Sequence, residues 1–173
     1  IKTNTMGLGR AASPADVAAY FYLQPRIDVE ALVEIERAQV PADYFKSFAA
    51  TLQAARAYDG VVISYLGSMA YPDLAAEMAD ILSRLEGTRW VICMGAYKGD
   101  LILAVRTRSR RGGAGQLVRE VVGARGTAGG HGTKAGGQIP LEGEDPGQVA
   151  LQLGQRALQY LKVPPETVGK PLI

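Results

Sequence analysis

From Val61 onward the chain changes its hydrophobic period, and that change constrains the fold more than any other feature of its 173 residues. Upstream, the apolar residues recur at helical spacing. Ser13-Pro14-Ala15-Asp16 reads as a helix start, with serine capping and proline at the first helical position, and the helix runs to Leu23 before Pro25. Asp28 caps a second helix carrying Ala31, Leu32, Ile35 and Ala38 at helical spacing. Pro41 opens a third, through DYFKSFAATLQAARAY, closed by Asp59-Gly60. Then come short apolar, β-branched runs: Val61 to Leu66, Arg89 to Tyr97 and Leu101 to Ser109. Gly99-Asp100 between the last two is a hairpin signal.

Helical stretches separate these runs. The first follows Tyr71-Pro72-Asp73 and shows Leu74, Met78, Ile81, Leu82 and Leu85 as one inner stripe. A short helix spans Gly115 to Ala124, and Pro146 opens a last one. Between them QIPLE (138–142) reads as an edge strand, because a proline cannot donate to a ladder. The order from residue 60 is β-α-β-β-α-β-α. It predicts an α/β fold: a mixed β-sheet of about four or five strands flanked by helices, preceded by a helical segment. The tail from Pro164 has no pattern of its own. No run of 18 apolar residues occurs, so no membrane span is expected.

Composition narrows the chemistry. With one cysteine, Cys93, an intramolecular disulfide is impossible, and with one histidine, His131, a Cys/His zinc site is excluded. Cys93 sits in an apolar run and reads as a core residue. The net charge of +2 is too small to imply a nucleic-acid binder by itself. The local distribution is different. Ten of the 21 glycines lie between Gly112 and Gly137, around the single histidine. Between Arg106 and Lys134 stand Arg106, Arg108, Arg110, Arg111, Arg119, Arg125 and Lys134 against one acid, Glu120. Free backbone N–H groups next to arginines and a lysine make an anion site, and phosphate is the anion they fit best. A P-loop is excluded because no Gly-Lys-Ser/Thr occurs. Residues 130–135 satisfy G-x-G-x-x-A as a string, but no strand precedes them and no long helix follows, so the dinucleotide-binding reading fails.

Four segments carry a resemblance: Arg106-Thr107 at the end of a strand, Gly129-Gly130-His131, Ala135-Gly136, and the strand Gln138-Ile139-Pro140. In this order they resemble the DHHA1 domain, the C-terminal half of the DHH-family phosphoesterases. These include RecJ-like exonucleases, oligoribonucleases and cyclic-dinucleotide phosphodiesterases. The match spans roughly residues 45 to 162. Ile1-Lys2-Thr3-Asn4-Thr5 is similar to the last conserved segment of the DHH catalytic domain, where the family has an aspartate that binds manganese; this chain has Asn4. The other metal motifs of the family are absent. The chain also opens on Ile1, which reads as a piece cut from a longer protein.

The resemblance implies a division of labour. Residues 1–45 would be the helical C-terminal remnant of the DHH domain, 46–163 the DHHA1 substrate-binding domain and 164–173 a flexible tail. The missing DHH domain of the same polypeptide would hold two divalent metal ions, manganese in the intact enzyme, and activate a water. The present chain would bind a nucleotide or short single-stranded oligonucleotide and be inactive alone. Arg106 would pair with a phosphate, Gly129 and Gly130 would offer backbone N–H groups, His131 would bind an oxygen or stack on a base, and Thr107 would add a hydroxyl. Lys134 stands where the family often has a neutral residue, so its place among the expected substrate-binding residues comes from its charge and position and not from the resemblance. A cytoplasmic location and a homodimer, through apolar residues such as Tyr20, Phe21 and Leu23, are further expectations. Two other readings fit the same residues: a non-catalytic nucleic-acid-binding module, since a related domain ends alanyl-tRNA synthetases, and a degenerate nucleotide-binding regulatory protein disabled by Asn4.

Overall fold

The computed structural model describes residues 7–9, 12–109 and 111–173, so Asn4 and Arg110 lie outside the described residues. The chain divides into two compact units, Ile1–Pro41 and Ala42–Ile173. In the first, α1 (Pro14–Leu23) starts at a capping box: Ser13 Oγ accepts the Asp16 N–H at 3.1 Å, and the Asp16 carboxylate accepts the Ser13 N–H at 2.9 Å. A 3₁₀ turn, Gln24–Arg26, leads to α2 (Val29–Glu36), capped by Asp28, whose carboxylate accepts the Ala31 N–H at 3.0 Å. Neither helix has a buried residue. Phe21 and Leu23 are exposed, and Tyr20 meets Phe21 edge-on.

The second unit holds α3 (Ala42–Ala54), β1 (Arg56–Tyr58), β2 (Val61–Ser68), α4 (Leu74–Leu82), β3 (Trp90–Tyr97), β4 (Asp100–Thr107), α5 (Ala114–Val122), β5 (Thr127–His131), β6 (Lys134–Pro140), α6 (Pro146–Tyr160) and β7 (Lys170–Pro171). The strands form one seven-stranded sheet in the order β5-β6-β4-β3-β2-β1-β7. Only β2 and β3 run parallel; every other pair is antiparallel. The β2-α4-β3 crossover explains that one parallel pair, because parallel neighbours need a long connection.

Side chains alternate across the pleat, so the two faces can be read from the register. Ile92, Met94, Leu101, Leu103, Val105, Ala135 and Ile139 face α5 and α6 in one buried cluster. Val62, Val91, Cys93 and Ala104 face the other way, in a second cluster with Leu74, Ala75, Met78, Ala79 and Leu82 of α4. Each fully buried leucine, isoleucine, valine or methionine contributes about 1.5–3 kcal/mol relative to exposure. α3 joins the second face, where the buried Ser64 hydroxyl donates to the Thr51 carbonyl at 2.9 Å.

The sheet is wider than the expected four or five strands, and each addition has a local cause. The third helix ends at Ala54 rather than running to Tyr58, and Arg56–Tyr58 turns back as β1 against β2. Lys170–Pro171, which the sequence pattern leaves without an element, pairs with β1, and the Leu172 N–H donates to the Ala55 carbonyl at 3.2 Å. Both strands are too short to show a period. The glycine-rich stretch is a hairpin and not a loop: β5 and β6 pair from Thr127↔Gln138 to His131↔Lys134. The strand around QIPLE is not at the edge. It begins at Lys134 and lies between β4 and β5, and Pro140 is its last residue, where no ladder donor is lost. The edge belongs to β5.

Candidate functional site

α4 covers β3 and β4 on its face of the sheet and leaves β6 and β5 bare. The result is an open groove of about 650 Å³, walled by Pro72, Asp73 and Ala76 of the α4 entry and floored by β4, β6 and β5. The antiparallel registers align the floor in three rungs. Arg106, Lys134 and His131 form the first. Ala104, Gly136 and Gly129 form the second, and Ile102, Gln138 and Thr127 the third. Strands lie about 4.8 Å apart, so a rung crosses about 10 Å of surface. The rungs follow one another at about 6.7 Å, two residues along a strand.

Each rung has its own chemistry. The first carries the cations. The second is nearly bare backbone: a Cβ at Gly129 would meet nothing within 4 Å, and one at Gly136 only the Leu103 carbonyl at 3.3 Å. Both glycines leave a low, flat floor, with room for a planar or bulky ligand group. The third rung is polar, and its Gln138 amide donates to the Asp100 carboxylate at 2.8 Å.

The cationic rung is tied to α4 by Asp80. Arg106 Nε donates to one Asp80 oxygen at 2.7 Å and its Nη2 to the other at 3.2 Å. Nη2 also donates to the Ala76 carbonyl at 3.3 Å, and Nη1 to the Val105 carbonyl at 3.1 Å. Four of the five guanidinium N–H groups are therefore engaged within the protein, which leaves one on Nη1 for a ligand. The Arg106 side chain is 11% exposed, a fixed charge in the groove floor. Lys134 Nζ reaches the same carboxylate at 3.1 Å, but its side chain is 51% exposed and its flexible stem can redirect the ammonium. Burial pushes the Asp80 carboxyl up, and hydrogen bonds and charge from Arg106 and Lys134 outweigh it, so the group sits below the usual aspartate range. His131 is exposed at the end of β5.

The expected site residues thus separate. Arg106, Gly129, Gly130, His131 and Lys134 line the groove. Thr107 alternates to the opposite face. It is buried, donates to the Arg89 carbonyl at 3.0 Å and accepts the Ser109 N–H at 3.1 Å, so its hydroxyl secures the end of β4. Gly130 is a spacing residue: its φ of 141° is one that side chains rarely adopt, and a Cβ there would run into Ala135. The basic run also disperses. Arg125 pairs with Glu144, Arg119 lies on α5 and Arg108 and Arg111 are exposed outside the groove lining. Two side chains that sequence reading did not single out matter here. Asp80 carries no signal of its own in the sequence, and only its hydrogen bonds with Arg106 mark it. Gln138 was read for its strand alone.

Cys93 lies fully buried under α4, and burial pushes its thiol up to about 12, with a lowering from Arg106 and a further raising from Asp80. It is a core residue. Among the described residues, no group of three or more His, Cys, Asp and Glu side chains is placed to hold a metal ion. Among the same residues, no helix is long and apolar enough to cross a membrane.

No protein-family model matches the sequence, and no curated protein matches it either. Solved structures do match. An exopolyphosphatase-related protein from Bacteroides fragilis superposes with a TM-score of 0.70 at 12% identity, over 93% of this chain and 48% of that one. The chain therefore spans about half the length of that protein. The C-Ala domain of alanyl-tRNA synthetase from Aquifex aeolicus gives 0.47 at 18% identity, over 60% of this chain and 96% of that one. A pGpG-specific phosphodiesterase from Vibrio cholerae gives 0.40 at 19% identity, over 66% and 39%. The first score establishes a shared fold with the exopolyphosphatase-related protein, and the fold is consistent with the DHH/DHHA1 resemblance.

Proposed function

We propose that this chain is the substrate-binding part of a metal-dependent phosphoesterase acting on nucleotides or short oligonucleotides, and that the ligand lies in the groove over β4, β6 and β5. One observation carries the reading: the cationic rung of Arg106, Lys134 and His131 abuts a bare glycine rung on the same open face. A phosphate needs the first, through charge-assisted hydrogen bonds from the free Nη1 N–H and the Lys134 ammonium. A base or sugar fits over the second, where no side chain intervenes. The shared fold with an exopolyphosphatase-related protein supports the same class of chemistry.

In this reading the chain supplies binding and orientation. Arg106 is positioned by Asp80, Ala76 and Val105 before the ligand arrives, so little is lost in ordering it. Lys134 follows the phosphate. Divalent metal ions, manganese in the intact protein, would be held by residues of the DHH domain and would activate the attacking water.

The test is a titration of the chain with AMP and with a short labelled oligonucleotide, in the wild type and in Lys134→Ala and His131→Ala. These two exposed residues can be removed without disturbing the core. Affinity should fall about fivefold or more in Lys134→Ala, the loss of one charge-assisted hydrogen bond, and by a smaller factor in His131→Ala. Wild-type affinity in both variants would overturn the assignment of the groove.

A further inference from the structure

We propose that Asp80 sets the charge selectivity of the groove, holding it at one net positive charge so that it takes a singly charged phosphodiester about as well as a doubly charged phosphomonoester. The inference rests on the groove being the phosphate site. It concerns a residue outside the groove lining, and it follows from counting charges around the cationic rung.

Arg106 and Lys134 contribute two positive charges, and both bind the Asp80 carboxylate, at 2.7 and 3.1 Å. Their sum is +1. Asp73 is an acid of the groove lining itself, but it stands at the N-terminal cap of α4, seven residues before Asp80 and about 10 Å away along the helix axis. That is a full screening length away at ordinary ionic strength. Asp80 is different because it touches both cations and is held in place. Arg106 grips both its oxygens, and its place on α4, whose Leu82, Met78 and Ala79 are buried, prevents it from swinging out.

A carboxylate fixed there has a simple consequence. An incoming phosphate meets two cations that already share one carboxylate. The first negative charge of the ligand is matched, and the second meets a site already neutralised. A strand carrying internal phosphodiesters presents one charge per phosphate, whereas a terminal phosphate presents nearly two at neutral pH. A bare Arg-Lys pair would favour the terminal phosphate. With Asp80 the internal one loses no ground.

The probes are AMP and its methyl ester, which share base, sugar and phosphate and differ by one charge at about pH 8. In the wild type the two affinities should agree within about threefold. Asp80→Asn keeps the shape and a hydrogen bond to Arg106 and removes the charge. It should improve AMP over the ester by about tenfold, the effect of one charge about 6 Å away at an effective dielectric of roughly 40. Asp80→Glu keeps the charge and should keep the wild-type ratio. If Asp80→Asn changes both affinities by the same factor, Asp80 only positions Arg106, and the selectivity proposal is overturned while the groove assignment stands. A wild-type preference for AMP above about tenfold overturns it without any variant. If the wild type binds neither probe, the groove assignment falls and this inference with it.

Discussion

Arg106 illustrates how a ligand-binding residue can also be a structural one. Its side chain is 11% exposed and donates to Asp80, Ala76 and Val105. Replacement by alanine leaves the Asp80 carboxylate with Lys134 alone and takes a donor from two carbonyl groups, so Arg106→Ala should cost about 1–3 kcal/mol of stability, measurable by urea unfolding. A loss of binding in that variant would mix two effects. Lys134→Ala, with its side chain half in water, isolates the ligand term. Asp80 adds an acid limb to stability. Its folded-state value is lowered, so its contribution is present above the unfolded aspartate value of about 4 and is lost as pH falls through the folded value. Unfolding followed from about pH 6 down to pH 3 should show a shallower decline in Asp80→Asn than in the wild type. Identical slopes would remove Asp80 from the acid limb. The Cys93 thiol, pushed to about 12 by burial, should resist a thiol reagent in the native protein and react once unfolded. At this scale the sequence was informative about cations and silent about their counter-ion. Charge runs and glycines are visible along a chain, but a helix aspartate 26 residues away from its arginine is not.

The β5-β6 hairpin is the element on which the groove depends, and α5 supports it from behind. A Cβ at Gly115 of α5 would collide with the Gly130 carbonyl oxygen. The Ala114 N–H donates to the Gly132 carbonyl at 3.2 Å, and the Thr107 N–H to the Thr133 carbonyl at 3.0 Å, so the turn is held from two sides. Within a helix, glycine to alanine gains about 1 kcal/mol from propensity, but here the clash is with backbone that cannot step aside. Gly115→Ala should therefore destabilise the protein by about 1–3 kcal/mol and raise hydrogen exchange at β5. Unchanged exchange there would show that the contact is not tight. The hairpin also marks where reading the sequence failed. Thr-Ala-Gly-Gly-His has almost no strand propensity, and only pairing with β6 and packing on α5 make it a strand. The strands around Ile92 and Leu103 were legible because their apolar runs are long, and the helix around Val149 because Pro146 opens it. β1 and β7, three and two residues long, offer no period to detect.

On the scale of the molecule, the described core belongs to the second unit. Among the described residues, every buried one lies at Thr51 or beyond, and α1 and α2 contribute none. A chain of residues 42–173 should fold with its sheet intact and a melting temperature within about 3 °C of the whole. A molten far-UV and near-UV signature in that fragment would contradict it.

The three rungs of the groove have a consequence for how its ligand range can change. From the Arg106 rung to the Ile102 rung is four residues of strand, about 13 Å, and this is a ruler graduated by the pleat. A one-residue insertion between Lys134 and Gln138 would keep the Lys134 end of β6 in phase and invert the other, sending Gln138 to the α5 face and Ile139 to the groove face. Only insertions of two residues preserve the faces, so the distance between the charged and the polar ends can be reset only in steps of about 6.7 Å. Ligand length at this surface is thus fixed in discrete units, and drift in the sequence can alter what each mark on the ruler recognises more easily than it can move the marks.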